Sequence, residues 1–261
     1  MIEYKTDEEI ELLRESNMLV SKTLAEISTL MKPGVSTISI DKRAEEFIRD
    51  NGGVPGFLNY NGYPNTLCIS VNDQIVHGIP SDYKLKNSDI VSVDCGVIMN
   101  GFYGDSAYTF KIGDVDEKVQ KLMDVTRQAL FLGIENARPG KRIGDISFSI
   151  QDHAEKNGFS VVRDLVGHGV GRNLHEEPQV PNFGRRGKGV KIKPGLVIAI
   201  EPMINMGGKE AKQEKDGWTI KTADGSKSAH FEHTIAVKKE KTELLSDFEI
   251  IDKAIKCNLE I

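Results

Sequence analysis

The chain has 261 residues, 39% of them apolar and 28% charged, the balance of a soluble globular protein rather than a disordered or fibrous one. Its net charge of −5 excludes the clustered basic excess of a general nucleic-acid binder, so no DNA partner is expected. No apolar run reaches the ~18 residues of a membrane span, and the three cysteines, Cys68, Cys95 and Cys257, are few and widely spaced, as in a reduced cytoplasmic protein.

The chain opens on MIEYKTDEEIELLRESN, which is acidic and helical in pattern and lacks the basic start and apolar core of a signal peptide. Thr6-Asp7-Glu8-Glu9 reads as a capping box. Ile10, Leu13, Val20, Leu24, Ile27 and Met31 follow at helical spacing. A second helix is predicted from Ser39 to Asp50, stopped by Asn51-Gly52-Gly53. Strands are predicted over 66–71, 89–99 and 102–110. Val115, Val119, Leu122 and Ala129 then mark a helix, and another runs from Asp145 to Lys156, stopped by Asn157-Gly158. Further strands are predicted over 161–166, 196–204, 218–221 and 231–238. Without βαβ alternation, the expectation is an α+β fold with a largely antiparallel sheet.

Part of this pattern occurs twice. Pro33 and Pro139 are 106 residues apart, and Gly34 with Gly140, Ile40 with Ile146, and Asn51 with Asn157 share that offset. LKNSDIVSVD, ending at Asp94, aligns with IKPGLVIAIE, ending at Glu201, at an offset of 107. Ordered matches at nearly one offset make chance between common stop signals the weaker explanation. A single domain over 1–261 is expected, built from halves of about 1–112 and 113–261 about a pseudo-dyad, with a shared site at their junction.

Within DIVSVDCGVIMNGFYGDSAYTF, Asn100-Gly101 between apolar runs signals a two-residue hairpin. Met99 then faces Phe102, Asp94 faces Ala107, and Asp105 lies two residues from Ala107 on the same face. Asp94 and Asp105 become diagonal neighbours within side-chain reach, provided that no bulge at Gly104 shifts the register. Two such carboxylates among Val, Ile, Phe and Tyr need something positive between them, a metal ion or an Arg or Lys; otherwise both face water. His168 stands between glycines in LVGHGVG. Glu201 is read at the end of one apolar strand and Glu232 at the start of another, both costly positions if buried and unpaired. Four carboxylates carry four negative charges, which two divalent ions would balance. Oxygen ligands with one imidazole suit Mn, Fe, Co or Zn rather than Ca or a thiolate zinc site.

These five residues lie in VSVDCGVIMNGFYGDSAYTF, GHGVGRNLHEEPQVPN, IAIEPM and SAHFEHTIAV, and NTLCISVNDQIVHGIP precedes them. Together the stretches resemble the type I methionine aminopeptidases of the pita-bread metallopeptidase family, over nearly the whole chain. The resemblance implies a hydrolase that removes the initiator methionine from nascent chains when the second residue is small. Asp94 would bind one metal, His168 and Glu201 the other, and Asp105 and Glu232 would bridge. A water between the ions would be the nucleophile and Glu201 the general base. His77 and His175 would orient the scissile peptide and stabilise charge on its oxygen. Tyr60, Tyr63, Cys68 and Trp218 would form the methionine pocket. Leu174 stands where many bacterial members carry an aromatic residue, and Phe57 where several carry a Cys, which bears on pocket shape. Asn72 and Ser228 would contribute to a monovalent-cation site.

The compact length fits the type I bacterial form, and the family default is a monomer. Lysines 209, 212, 215, 221 and 227 fall on an expected surface hairpin, which could touch ribosomal RNA or remain a solvated loop. Two rival readings share the fold: an X-Pro aminopeptidase or prolidase, and a non-enzymatic pita-bread binding module. Relatives of the first usually carry an extra N-terminal domain. Modules of the second commonly lose metal ligands, whereas all five ligand positions are filled here.

Overall fold

In the computed structural model, which describes residues 1–259, helix α1 spans Asp7–Ser28 and starts on the expected capping box. Glu9 N–H donates to Thr6 Oγ1, and Thr6 N–H donates to Glu9 Oε2. Residues 260 and 261, the end of the range expected for the domain, lie outside the described residues. In chain order follow α2 (Thr37–Asp50), β1 (Val54–Pro55), β2 (Leu67–Val71), β3 (Gln74–Val76), β4 (Ile90–Met99), β5 (Phe102–Lys111), α3 (Glu117–Asn136) and α4 (Ile143–Lys156). Then come β6 (Ser160–Val161), β7 (Val166–Gly169), β8 (Glu176–Pro181), β9 (Val197–Ile200), β10 (Met203–Asn205), β11 (Ala211–Gln213), β12 (Ile220–Thr222), β13 (Ser228–His230), β14 (His233–Val237), β15 (Thr242–Leu244) and α5 (Phe248–Leu259).

Every strand pairing among the described residues is antiparallel. The α+β class read from the sequence is the observed one. Strand β4 pairs with β5 on one side and with β1 and β2 on the other. The order β15-β14-β9-β7-β8 forms a second sheet, and two three-stranded sheets, β13-β10-β6 and β11-β12-β3, complete the set. One apolar core joins α1 and α2 through Leu24, Ile40 and Ile48 to β4 through Val91 and Val93, and to α3 and α4 through Leu122, Leu130 and Ile150. Helices α2 and α4 are each 14 residues long. Their first residues, Thr37 and Ile143, are 106 apart, as are Ser36 and Arg142, which make isolated bridges to Lys84 and Lys191.

Three expected strands differ. The predicted strand over 161–166 is instead β6 and the start of β7, with 162–165 irregular between them. Val161 pairs with Ile204 of β10, and Val162 N–H donates to the Met203 carbonyl at 3.0 Å before the chain leaves the sheet. The predicted strand over 196–204 breaks after Ile200, where Pro202 has no N–H for the ladder. The predicted strand over 231–238 starts two residues later, as β14, after a gap that separates it from β13. Ile200 pairs with His233 and Met203 with His230, leaving Glu201, Pro202, Phe231 and Glu232 in the gap. Strands β1, β3, β8, β13 and β15 and helix α5 have no counterpart among the predicted elements. Pro178 and Pro181 disguise β8, which lies at a sheet edge where proline is tolerated. Among the described residues, no helix is long and apolar enough to cross a membrane.

Candidate metal and peptide site

The β4–β5 hairpin has the register read from its turn. Met99 pairs with Phe102, Asp94 with Ala107 and Gly96 with Asp105, without a bulge. Asn100 and Gly101 both have positive φ, 53° and 77°, as a two-residue turn matched to strand twist requires. Strand β5 then runs beside the 230–234 segment. Glu232 N–H donates to the Ala107 carbonyl at 2.9 Å, Ser106 Oγ donates to the Glu232 carbonyl at 2.6 Å, and Thr234 Oγ1 donates to the Asp105 carbonyl at 2.7 Å. These bonds bring Glu232 to the two aspartates. The break after Ile200 turns Glu201 to the same place, and β7 delivers His168.

The eleven residues named as metal, catalytic or pocket candidates all line one cavity of about 300 Å³. Asp105, His168 and Glu232 offer ligand atoms within 4.8 Å of one another. His168 Nε2 lies 3.6 Å from Asp105 Oδ2 and 3.5 Å from Glu201 Oε1. His168 Nδ1 lies 3.0 Å from the Gly169 carbonyl. A carbonyl can only accept, so Nδ1 carries the proton and Nε2 turns a lone pair towards the carboxylates.

The electrostatics call for a cation. Burial pushes the Asp94 carboxyl up to about 7, against a hydrogen bond with Asp105 and one from the Cys95 backbone. Burial raises Asp105 well above the carboxylate range, reinforced by the charges of Glu232 and Asp94. Glu201 is raised by burial and then by Asp94 and Asp105; Glu232 by burial and then by Asp94 and Glu201. Burial lowers His168 to about 3, so it is neutral at pH 7. Among the described residues, no Lys or Arg pairs with any of the four carboxylates, which removes the basic-residue alternative. Asp94 Oδ1, Asp105 Oδ1 and Glu232 Oε1 are buried without a hydrogen-bond partner. Orphaned oxygens of this kind, beside a deprotonated imidazole nitrogen, fit divalent metal.

The rest of the cavity is apolar and aromatic. Tyr63, Cys68, Phe57 and Leu174 are buried together, with Tyr60 and Trp218 packed against them. Tyr63 presents its ring because its hydroxyl is committed, donating to the carbonyls of Leu67 and Gly78 at 2.9 Å each. The Tyr63 and Trp218 rings meet edge to face at 5.2 Å. His77 holds a positive φ of 58°, a strained conformation for a residue with a Cβ and one that gathers at functional sites. Burial, aided by His175, lowers its pKa to about 4. His175 Nδ1 lies 2.9 Å from Tyr60 Oη, and its ring is 4.3 Å from that of His168.

One buried group was missed. His230 is 1% exposed, and its Nε2 lies 3.6 Å from Glu201 Oε2 and 3.9 Å from Glu232 Oε2. Its position two residues before Glu232, where strand side chains share a face, was the available signal. Asn72 and Ser228 are neighbours, with Ser228 N–H donating to the Asn72 carbonyl at 2.9 Å. The lysine hairpin exists as β11–β12, but three of its lysines are engaged. Lys221 pairs with Asp73 and Glu214, Lys212 reaches the Ala223 carbonyl, and Lys227 the Ser88 carbonyl.

Known proteins resemble this chain in sequence and fold. Residues 11–239 match the sequence profile of metallopeptidase family M24. A methionine aminopeptidase of Clostridium perfringens (strain 13 / Type A) is 49% identical over 246 residues, covering 94% of this chain and 99% of the relative. The crystal structure of methionine aminopeptidase from Rickettsia prowazekii superposes with a TM-score of 0.93 at 43% identity, covering 95% of this chain and 100% of that one. A prolidase from Pyrococcus horikoshii OT3 superposes with a TM-score of 0.77 at 20% identity and over 63% of its own length, a likeness of fold alone. With the profile spanning most of the chain and the buried carboxylates gathered as a divalent-metal site requires, the chain belongs to metallopeptidase family M24 and has its pita-bread fold.

Proposed function

We propose that this protein is a metal-dependent methionyl aminopeptidase that removes the N-terminal initiator methionine from newly made polypeptides when the second residue is small. The observation that carries the reading is the adjacency of an apolar, aromatic pocket to buried unpaired carboxylates in one cavity. The near full-length likeness to methionine aminopeptidases supports it.

Asp94, Asp105, His168, Glu201 and Glu232 would hold two divalent ions, Co, Mn, Fe or Zn, whose charge their carboxylates would balance. When bound, the ions supply Lewis acidity, acidifying a water and offering a point of attachment for the free α-amine of the substrate. The methionine side chain enters between Tyr63, Cys68, Phe57, Leu174 and Trp218, where an unbranched thioether packs against aromatic edges. Tyr60 holds His175, and with Tyr60 donating to Nδ1 the His175 proton sits on Nε2. His175 and His77, both neutral at pH 7, then donate towards the scissile carbonyl oxygen as charge develops on it. Glu201 accepts a proton on its carboxylate and passes it to the leaving amine nitrogen.

The architecture we propose is a single domain of two related halves, about 1–112 and 113–261, acting as a cytoplasmic monomer, with a monovalent cation beside Asn72 and Ser228. Ribosome contact through the β11–β12 hairpin would rest mainly on Lys209 and Lys215. The function is tested by comparing methionine release from Met-Ala-Ser with cleavage of X-Pro peptides. Faster release from Met-Ala-Ser is expected, and a preference for X-Pro would refute the assignment.

A further inference from the structure

Lys5 lies outside every helix and strand, yet its side chain is 3% exposed, and its Nζ is 2.6 Å from Glu176 Oε2, on a side chain 8% exposed. A lysine is rarely buried so completely without a structural demand. Glu176 follows His175 directly and opens β8. The ion pair is therefore anchored one residue from an imidazole that lines the cavity.

The turn before β8 is closed around this carboxylate. Glu176 Oε1 accepts from Asn173 N–H at 3.2 Å, and Gly171 N–H donates to the Asn173 carbonyl at 3.1 Å. The turn carries Leu174 and His175, both of which line the cavity. Gly171 leaves the ion pair its space, because a Cβ there would lie 2.4 Å from Glu176 Oε1 and 2.5 Å from Lys5 Nζ. The other end is tied as well. Lys5 N–H donates to the Gly195 carbonyl at 2.7 Å, and Gly195 N–H donates to the Val237 carbonyl at 2.8 Å. Val237 ends β14, which begins one residue after Glu232.

We propose that Lys5 is a positioning residue for the reaction: through Glu176 it fixes the 171–176 turn and so holds the His175 ring at the scissile peptide. The proposal rests on the role given to His175 above. His175 is then held from two sides, by Tyr60 within the cavity and by the Lys5–Glu176 pair behind it.

The test is steady-state kinetics on Met-Ala-Ser for Lys5→Met and Lys5→Arg, each also in a His175→Ala background. Lys5→Met is expected to lower kcat by on the order of tenfold to a hundredfold, the usual cost of misplacing a group at the reacting centre by about 1 Å. KM should change little, and Lys5→Arg should restore most of the rate. In the His175→Ala background, Lys5→Met should lower kcat no further, since its route of action is gone. An unchanged kcat in Lys5→Met, or a loss of equal size in the His175→Ala background, would overturn the proposal. Should Lys5→Met not fold, the double variant Lys5→Met/Glu176→Gln, which leaves no unpaired buried charge, carries the same comparison. Failure of the unaltered protein to release methionine would instead refute the proposed function.

Discussion

Chelating the metal should make the stability of this protein fall as the pH rises. Without cations, Asp94, Asp105, Glu201 and Glu232 face one another in a buried cavity, and burial raises the pKa of each. Asp94 moves from an ordinary 3.8 to about 7. Between these values the folded apo protein holds a proton that the unfolded chain has released. Unfolding is therefore favoured as pH rises. The stabilising contribution is complete below about pH 4 and is lost as pH climbs through about 7. A shift of about three units at ~1.36 kcal/mol per unit corresponds to a few kcal/mol, shared among the coupled carboxylates. At about 2–4 °C per kcal/mol for a chain of this size, the apo melting temperature should drop by roughly 10 °C across the window. With divalent ions bound, the carboxylates are ionised and compensated, so the melting temperature should hold or rise over the same range. Thermal melts from about pH 4 to pH 8, with chelator and with Mn, make the comparison. A chelated protein whose melting temperature tracks that of the metal-loaded one would refute the argument that these carboxylates are buried and uncompensated.

Asp105→Ala should lose most bound metal by elemental analysis, and its rate should fall by more than about 100-fold, since even residues that only support metal ligands cost 10–100-fold. Full metal content and rate in that variant would remove Asp105 from the ligand set. Gly104→Ala would place a Cβ 2.5 Å from the Ser16 carbonyl carbon and 2.6 Å from Asn17 N in α1. Asn17 Oδ1 accepts from Asp105 N–H, so denaturant titration should show a loss of roughly 1–3 kcal/mol together with weaker metal binding. Trp218→Ala should raise KM for Met-Ala-Ser on the order of tenfold with a smaller change in kcat, as expected when pocket contact shared by ground and transition states is removed.

Local chemistry explains what the sequence made legible. The capping box at Thr6 and the Asn100-Gly101 turn each act over a few residues, and the turn then dictates ten consecutive pairs between β4 and β5. That is why the sequence alone places Asp94 and Asp105 as neighbours. The break that positions Glu201 and Glu232 is different. Pro202 marks one break in the sequence, but only the pairing of the two segments shows that Ile200 meets His233 and leaves both acids in a gap. His230 carried a signal in its position two residues before Glu232, but its approach to Glu201 is fixed by that same gap. Strands of two or three residues, such as β1 and β13, have too few side chains to display a period. Helix α5 did carry a signal, since Asp247 Oδ1 accepts from Glu249 N–H at its start and Phe248 and Ile251 are buried. Leu174 and Phe57, noted as departures from the family pattern, both sit in the pocket wall, so they bear on its shape and not on the metal-binding set.

The most direct test of the central claim is methionine release from Met-Ala-Ser by chelated protein as Mn or Co is added back. The account predicts no release from the chelated protein, activity restored as the divalent ion saturates about two sites, and almost none on Met-Lys-Ser under the same conditions. Release that continues at full rate in chelator, or equal rates on the two peptides, would contradict it.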